Sequence, residues 1–415
     1  MQNKIVIDPV TRVEGHGKVT IHLDEQNKVT DSFFHIVEFR GFEKFVQGHP
    51  YWEAPVMVQR LCGICPVSHH LAAAKAIDRI VGLEPHELSI TAQKIRKLLH
   101  YGQIFQSHAL HFFYLASPDL LFGFKSSPEM RNVVGVAMEY PELAKKGILM
   151  RKFGQEIIKM VAGKKIHGIS TTPGGVHKKI TVRERDYFLN GKDIPSIDTM
   201  ISWSQEIIDF MKSYHSQNAH WLNEFATYPS GHLGLVNAEN GYLELYDGRL
   251  RAIDSMGHKT LDDIEDDEYQ HYFYEGVEKW SYLKFPYLKH LGRDVGWNRV
   301  GPLARLNVCE GISTPLAAYE RLQFLDANQG KTCNRTMFSH WARLIELLHC
   351  AEMMKDLLED DDLLSNDLVR RGERRNEGVG IIEAPRGTLI HHYQVDDKDR
   401  ITRCNLIVST THNNE

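Results

Sequence analysis

The sequence predicts an α+β protein that is predominantly helical and has a small antiparallel sheet near its N-terminus. Three observations predict this fold class: alternating apolar residues at the start of the chain, helical spacing through its long middle, and short β-branched segments near its end. A period of two indicates strands, whereas apolar residues three and four apart indicate helices. We predict a single large domain over residues 1–415, with a β-rich part at 1–48, a mainly helical part at 49–358 and a strand-rich end at 379–415.

The N-terminal strands are predicted from alternation and from the turn between them. The segment "KIVID" is apolar and β-branched, and "GKVTIHLDE" alternates from Val19 to Leu23. The third segment, "VTDSFFHIVEF", follows the polar turn "EQNK". Strands separated by a short polar turn are typical of antiparallel hairpins, so these three segments form the predicted sheet.

The helices are predicted from apolar spacing and from their end signals. Pro66 suits the first turn of a helix that ends at Gly82, because the first turn leaves its N–H groups unused. Ser89 or Thr91 could cap a second, long helix that stops before Pro118. Further helices are predicted near residues 142–162, 197–226, 264–282 and 338–358, with a turn at 171–176 and an exposed charged connection at 358–378.

The end of the chain returns to strand-like segments. These are "VGIIEAP", "GTLIHHYQV" and "ITRCNLIVSTT", which are short, rich in β-branched residues and separated by turn residues. This pattern is typical of strands joined by short connections.

Composition restricts the class of protein. The chain is 42% hydrophobic and 25% charged, which is ordinary for a globular protein with a large core. A formal net charge of −5 and the lack of a basic cluster argue against nucleic acid as the main partner. The N-terminus has no basic segment followed by an apolar one, so no signal peptide is predicted, and no apolar run is long enough to predict a membrane span.

The stretch "RLCGIC" at residues 60–65 contains the only close pair among the six cysteines. A pair at the start of a helix can be a redox dithiol, although the preceding residues do not resemble a βαβ unit. A structural zinc site needs four ligands, and two buried thiols of the core are also compatible with the spacing. So few cysteines do not form a disulfide scaffold, and they predict a reducing cytoplasmic setting. The remaining cysteines are single and are expected in the core: Cys309, Cys333, Cys350 and Cys404.

The surroundings of this pair resemble one known family. "RGFE" at residues 40–43, "RLCGIC" at 60–65 and His69 together resemble the first signature of the large subunit of nickel–iron hydrogenases. "DPVTRVEGHG" at 8–17 and "EAPRGTLIHHY" at 383–393 resemble two further segments of that family. Other stretches, among them "EKWSYLKFPYLK" and "TTPGGV", are most similar to its soluble, NAD(P)-linked cytoplasmic branch. The resemblance extends over essentially the whole chain and implies the large-subunit hydrogenase fold.

The resemblance implies reversible oxidation of H2 at a nickel–iron centre whose iron carries CO and cyanide. It implies that Cys62 is a terminal nickel ligand and Cys65 a bridging one, and soft thiolates suit both metals. Glu14 matches the proton-relay glutamate of the family, and a carboxyl group near a dry metal site can have a raised pKa. Arg386 matches the arginine that overhangs the open metal position. Taken alone, Glu14 could equally be a surface carboxylate and Arg386 an ordinary turn residue.

Two further residues have implied roles beside the metals. Glu43 matches a ligand of magnesium or a similar hard cation, and otherwise would be a carboxylate at the start of a helix. His69 is expected to donate to a cysteine sulfur, although a core histidine with a backbone partner is a close alternative. His16 and His70 are expected to be structural.

The family also implies partners. Electrons would leave through an iron–sulfur small subunit, because this chain has no cysteine cluster of its own. Iron–sulfur clusters, flavin and NAD(P) would belong to partner subunits, since no GxGxxG motif is present in this chain. H2 is the implied substrate.

The second signature of the family, DPCxxCxxH, is absent from the sequence. We therefore expect an apparently truncated or immature chain whose metal site is incomplete. Two alternatives stay open. One is a non-catalytic or immature scaffold subunit of the same fold, and the other is a thiol redox protein that uses Cys62 and Cys65.

Overall fold

The computed structural model describes residues 3–11, 13 and 15–414, and it has helices as its largest class of secondary structure and the small antiparallel sheets that the sequence predicts. No helix within these residues is long and apolar enough to cross a membrane. The strands are β1 (Asn3–Ile7), β2 (Gly17–Leu23), β3 (Val29–Ile36), β4 (Thr171–Thr172), β5 (Gly175–Val176), β6 (Gly231–Val236), β7 (Arg249–Ile253), β8 (Lys259–Ile264), β9 (Phe273–Val277), β10 (Lys284–Leu288), β11 (Asn298–Arg299), β12 (Glu377–Ala384), β13 (Gly387–Val395) and β14 (Ile401–Ile407).

The main helices follow the predicted order along the chain. They are α1 (Pro66–Ile80), α2 (Ile90–Leu110), α3 (Val133–Glu139), α4 (Pro141–Ala162), α5 (Val182–Asn190), α6 (Ile197–Leu222), α7 (Pro302–Val308), α8 (Pro315–Ala327) and α9 (Ser339–Glu359). Shorter helical segments lie at Phe42–Phe45, Ala54–Met57, Ser117–Phe122, Tyr269–Tyr272, Arg293–Gly296 and Ser409–His412. The helices predicted near 142–162, 197–226 and 338–358 are confirmed as α4, α6 and α9.

The signals at the ends of α1 and α2 act as predicted. Pro66 is the first residue of α1, and Gly82 follows the helix in a left-handed conformation with φ +79°, which glycine adopts without strain. Of the two candidate caps of α2, Ser89 is the cap, because its hydroxyl accepts from the Ala92 N–H. Thr91 instead donates to the carbonyl of Asp362.

The prediction that the long helix stops before Pro118 is wrong. The chain continues from α2 through a π-helical segment, His111–Ala116, into the helical segment Ser117–Phe122. Pro118 lies in the first turn of that last segment, where a missing N–H costs little. A new α-helical segment therefore begins directly after the π-helical segment, one residue before the proline.

The prediction of a helix at 264–282 is also wrong. Only a 3-10 turn, Asp266–Glu268, and one α-helical turn, Tyr269–Tyr272, form there, and β9 follows them and pairs with β10 in an antiparallel hairpin. Aromatic and β-branched residues in "YFYEGV" favour a strand once a partner strand is available. A four-stranded sheet in the order β11-β6-β7-β8 was not predicted either, because its strands are short and separated by glycine-rich turns.

The predicted sheets at both ends of the sequence are confirmed. Strands β1, β2 and β3 form one antiparallel sheet, and β12, β13 and β14 form another. Helix α1 packs directly on β12 and β13. Two glycines of β12 allow this close approach: a Cβ on Gly378 would lie 2.0 Å from the carbonyl oxygen of Ala76, and one on Gly380 would lie 2.3 Å from that of Ala72.

Lys75 of α1 anchors the helix to the sheet. Its side chain is 1% exposed, and its ammonium donates to the carbonyl oxygens of Tyr246 and Ile381. Asp247 and Asp266 lie 2.8 and 3.1 Å away and balance its charge. Because Ile381 belongs to β12, this contact holds α1 against that strand.

Candidate metal centre

A cavity of about 190 Å³ lies where the start of α1 meets the turn between β12 and β13. The residues after β14 cover its remaining side. Its wall combines sulfur, a guanidinium, an imidazole and apolar groups, and includes Cys62, Cys65, His69, Pro385, Arg386 and Val408. Four of the residues singled out in the sequence are therefore brought together: both cysteines of the pair, His69 and Arg386.

Cys62 and Cys65 are joined to each other as a disulfide, with their Cα atoms 5.5 Å apart. Cys65 is the residue directly before the first turn of α1, and its own N–H donates to the sulfur of Cys62 at 3.2 Å. The partial positive charge at the start of a helix favours a thiolate there. A disulfide and a metal site are alternative states of the same two sulfurs, since only the reduced thiolates bind a metal.

The donor chemistry of the cavity fits a soft transition metal. Two cysteine sulfurs are the natural ligands of nickel or iron, and the carboxylate oxygens that a hard cation prefers are absent from the described part of the wall. Within residues 3–11, 13 and 15–414 no cluster of three or more histidine, cysteine, aspartate or glutamate side chains could hold a metal. The described residues therefore supply two thiolate ligands at this cavity, without a third ligand of these types beside them.

Arg386 lies on the turn that forms one wall of the cavity. The next residue, Gly387, has φ +137°, and the carbonyl of Arg386 lies close to Gly301. The side chain also lines a neighbouring cavity of about 370 Å³ together with Arg299 and Arg343. Burial, opposed by Glu346 and assisted by Arg386, lowers the pKa of Arg343 to about 9. The surroundings are therefore strongly cationic, which favours negative charge on a group bound beside Arg386.

A buried arginine clamp holds this turn in place. Arg305 is fully buried and makes two hydrogen bonds of 2.6 Å to the carboxylate of Glu346 and one of 2.7 Å to Glu383. It also donates to the carbonyl oxygens of Ala384 and Pro385, at 3.0 and 3.3 Å. These are the two residues before Arg386, so Arg305 fixes the backbone that carries the arginine of the cavity.

Burial and ion pairing have opposite effects on the pKa of the carboxylates in this clamp. Burial alone would raise the pKa of Glu346, but the charge and hydrogen bonds of Arg305, aided by His108, lower it to about 2. The second carboxylate, Glu383, also accepts from the N–H of Leu235 and the hydroxyl of Thr388. Every charged group in the clamp is thus paired and hydrogen-bonded, as buried charges require. The clamp was not predicted from the sequence.

Among the described residues, His69 has a side-chain partner and not the backbone partner that was the alternative to its predicted role. Its Nδ1 lies 3.1 Å from Nε2 of His391, and Nδ1 of His391 lies 2.8 Å from the hydroxyl of Tyr393. Burial lowers the pKa of His69 to about 4, so the ring is neutral at pH 7. His70 is structural as predicted, with contacts to the carbonyl of Pro55 and the hydroxyl of Ser170.

The structure places Glu43 outside this cavity, beside a lysine. Its Oε1 accepts from the ammonium of Lys284 at 2.8 Å and from the N–H of Leu406 at 2.9 Å. Lys284 also contacts Glu275 at 3.2 Å and Asn405 at 3.0 Å. A hard dication needs several free oxygen ligands, and at this position a lysine already neutralises the two carboxylates. These residues, as arranged, do not fit a magnesium ion.

Replacing Lys284 by methionine tests this interpretation of the Glu43 site. We expect the free energy of unfolding to fall by about 1 kcal/mol, because Glu43 and Glu275 lose a partly exposed partner. We also expect millimolar Mg²⁺ to restore stability in the variant, since the freed carboxylates can then bind a dication. Thermal unfolding with and without Mg²⁺ measures both effects. If Mg²⁺ stabilises the unmodified protein just as strongly, the lysine does not take the place of a cation.

Glu14 and His16 belong to the segment before β2. Glu14 lies outside the described residues, so its proximity to the cavity stays a prediction. His16 is exposed and contacts Glu38 at 2.8 Å, in keeping with a structural role.

Comparisons with known proteins bear on the family of the chain and on its fold. A family model described as nickel-dependent hydrogenase matches residues 40–122 and 239–415, and one described as HoxL-like matches 4–39. The beta subunit of the NAD-reducing hydrogenase HoxS from Cupriavidus necator is 48% identical over 422 residues, covering 100% of this chain and 86% of the relative. A subunit of the F420-non-reducing hydrogenase vhu from Methanococcus voltae is 43% identical over 411 residues, covering 99% of this chain and 95% of the relative.

A solved structure gives the same result for the fold. An NAD⁺-reducing NiFe hydrogenase in its H2-reduced state superposes with a TM-score of 0.95 at 52% identity, covering 99% of this chain and 90% of that chain. The predicted fold class is therefore confirmed.

Proposed function

Because the chain belongs to the nickel-dependent hydrogenase family, we propose that it is the catalytic subunit of a nickel–iron hydrogenase, which interconverts H2 with protons and electrons. The observation that carries this proposal is the cavity in which the Cys62–Cys65 pair, His69 and Arg386 meet. When bound there, a nickel–iron centre would supply a soft Lewis acid that polarises H2 and accepts its electrons. We include the CO and cyanide ligands of the iron in the proposal on the strength of the family alone.

The cysteines are proposed as the metal-holding residues. Cys62 would be a terminal nickel ligand and Cys65 a bridging one, by their positions in the family motif. In support, both cysteines line the same cavity, and Cys65 directly precedes the first turn of α1, where the helix favours its thiolate form. Reduction of the disulfide would precede metal loading.

Arg386 is proposed to stabilise negative charge at the open side of the metals. A guanidinium stays protonated across the physiological range and presents several donors in a fixed plane. The clamp formed by Arg305 supports this role, since it holds the two carbonyls just before Arg386. A fixed donor costs little reorganisation when charge develops next to it.

Glu14 is proposed as the group that receives the proton. A Glu14→Gln variant keeps the shape of the side chain but cannot exchange a proton, so we expect H2/D⁺ exchange to fall by about 100-fold or more. Nickel content should stay at the level of the unmodified enzyme. Isotope exchange followed by mass spectrometry, with nickel analysis of the same sample, checks both. Unchanged exchange at full nickel content would contradict the relay role.

Electrons are proposed to leave through an iron–sulfur small subunit, and from there to reach flavin and NAD(P) on further subunits. In support, the cysteines outside the pair are single, buried and far apart in sequence. One relative and one solved structure are named as NAD-reducing hydrogenases. We place the protein in the cytoplasm on the same grounds and because its four free thiols suit a reducing compartment.

We also propose that the chain forms one domain. The first long helix, α1, packs on strands β12 and β13 near the other end of the sequence. One cluster of buried apolar residues reaches from Val67 to Leu389. Such long-range packing is expected of a shared core.

The proposal is tested with the assembled complex. We expect about one nickel per chain and H2-dependent reduction of a viologen dye, measured by elemental analysis and absorbance. A complex that contains full nickel but reduces no dye would favour the non-catalytic scaffold instead.

One observation favours a second candidate, a thiol redox protein. Cys62 and Cys65 form a disulfide at the start of a helix, which is the arrangement of many redox dithiols. A reversible two-electron titration of this pair in a nickel-free sample that also reduces a protein disulfide would support it.

A further inference from the structure

A chain of three buried side chains leads from the metal cavity into the C-terminal sheet. His69 is 5% exposed, and His391 and Tyr393 are fully buried. The two imidazole rings have their centroids 5.3 Å apart, and those of His391 and Tyr393 are 6.0 Å apart. His391 and Tyr393 are two positions apart on β13, so they share the face that packs on α1. The close approach of α1 to Gly380 brings His69 within reach of that face.

The direction of these hydrogen bonds follows from the hydroxyl group. Burial raises the pKa of Tyr393 well above its usual value, so the hydroxyl keeps its proton. His391 Nδ1 is the one hydrogen-bond partner that the described residues give this hydroxyl. A buried O–H without an acceptor would cost about 1–3 kcal/mol, so it donates to that nitrogen.

The tautomers of both histidines are then determined in turn. A ring nitrogen that accepts a hydrogen bond carries no proton, so the proton of that imidazole is on its other nitrogen. Because Nδ1 of His391 accepts from Tyr393, its proton is on Nε2 and is donated to Nδ1 of His69. The proton of His69 is therefore on Nε2, the nitrogen that His391 leaves available.

We propose that Tyr393 and His391 are positioning residues that fix His69 in its Nε2–H tautomer, so that this N–H serves as a donor to a cysteine thiolate in the cavity. The last part of this inference rests on the proposed function, because it needs reduced cysteines that hold a metal. An N–H donor lowers the electron density on a thiolate sulfur and orients it, and such outer contacts affect metal affinity by about 10–100-fold. In the opposite tautomer, His69 would present a lone pair that repels the sulfur.

The experiment measures the tautomer directly. The 415-residue chain is labelled with ¹⁵N-histidine and kept reduced, and the imidazole nitrogen shifts of His69 are identified by loss of its signals in a His69→Gln sample. We expect the unmodified chain to show a protonated Nε2 and an unprotonated Nδ1. In Tyr393→Phe the shifts should move towards a mixture of both tautomers, because the donor that orders the chain is gone.

Tyr269→Phe is a matched control. The hydroxyl of Tyr269 is buried and lies 2.9 Å from Nδ1 of His392, the residue next to His391 on the same strand. This variant removes the same kind of bond and should leave the His69 shifts unchanged. A second pair of variants separates hydrogen bonding from packing: His391→Gln keeps an N–H donor and should preserve the His69 tautomer, whereas His391→Leu should not.

The outcomes distinguish a failure of the inference about His69 from a failure of the proposed function. Unchanged His69 shifts in folded Tyr393→Phe would overturn the inference, as would loss of the tautomer in the Tyr269→Phe control. Nickel affinity of the assembled complex that carries the same variants is the second readout, and we expect a loss of about 10-fold or more for Tyr393→Phe. If the unmodified complex binds no nickel while the tautomer depends on Tyr393, the proposed function fails and the positioning of His69 stands.

Discussion

We expect the replacement of Cys65 by serine to abolish both nickel binding and H2 oxidation in the assembled enzyme. A serine hydroxyl is a hard, protonated group that cannot act as a bridging thiolate. Loss of a residue beyond the direct ligands costs about 10–100-fold in metal affinity, so loss of a ligand should cost more than about 100-fold. Elemental analysis and H2-dependent dye reduction on the same preparation measure the two effects.

Cys333→Ser provides the control for this variant. Cys333 is a buried free cysteine that does not line the cavity, so the same chemical change occurs away from the proposed metal. We expect some loss of stability but full nickel content per folded chain. Nickel retained with full activity in Cys65→Ser would rule out the ligand assignment, and equal nickel loss in both variants would indicate a general folding defect.

Replacing Arg305 by methionine should cause a larger loss of stability than any of the other substitutions proposed for this protein. The substitution leaves Glu346 and Glu383 buried without their shared cation, and an uncompensated buried charge costs about 3–5 kcal/mol. The turn before Arg386 also loses two hydrogen bonds, so activity per nickel should fall as well. Chemical denaturation gives the first quantity and dye reduction the second.

Arg321→Met serves as the comparison. Arg321 is also buried, but it donates to the carbonyl oxygens of Cys309 and Glu310 and lies away from Arg386. Its loss should cost about 1–3 kcal/mol without changing activity per nickel. Equal destabilisation by the two substitutions would mean that the buried carboxylates do not determine the cost.

The clamp also predicts how stability depends on pH. The pKa of Glu346 is lowered from its usual 4.5 to about 2 in the folded protein. A lowered folded-state pKa contributes stability that is complete above 4.5 and is lost as the pH falls from 4.5 towards 2. In Arg305→Met this contribution should disappear, and the variant should become relatively less unstable in acid. Unfolding curves at about pH 7 and about pH 4 compare the two proteins.

Long helices with one apolar face and the alternating strands at the two ends of the chain could be predicted from the sequence, whereas the short paired strands between the helices could not. Helix α9 was predicted from Trp341, Leu344, Ile345 and Leu348, whose spacing of three and four residues indicates one apolar face of a helix. Strand β9 was predicted as part of a helix because its conformation depends on pairing with β10, a contact that the spacing of apolar residues does not reveal. The π-helical turn before Pro118 has no signal of its own in the sequence.

The candidate site likewise contains residues that could be predicted from the sequence and residues that could not. Cys62, Cys65, His69 and Arg386 were identified from motifs that keep their spacing along the chain. Arg305 is a single arginine in the apolar segment "PLARLNV". This pattern predicts that the arginine has a buried partner, but it does not identify that partner. His391 and Tyr393 alternate in "LIHHYQV", which predicts a shared face of a strand but cannot say that α1 lies against it.

The two glycines of β12 at its contact with α1 limit the width of the candidate metal cavity. Gly378 and Gly380 let the strand touch the carbonyl groups of α1. Because these two glycines have no side chain, the distance between the cysteines and Arg386 depends on direct contact between the two backbones. A methyl group added at position 380 would push β12 away from α1. The cysteines and Arg386 would then lie further apart, although none of these side chains would be changed.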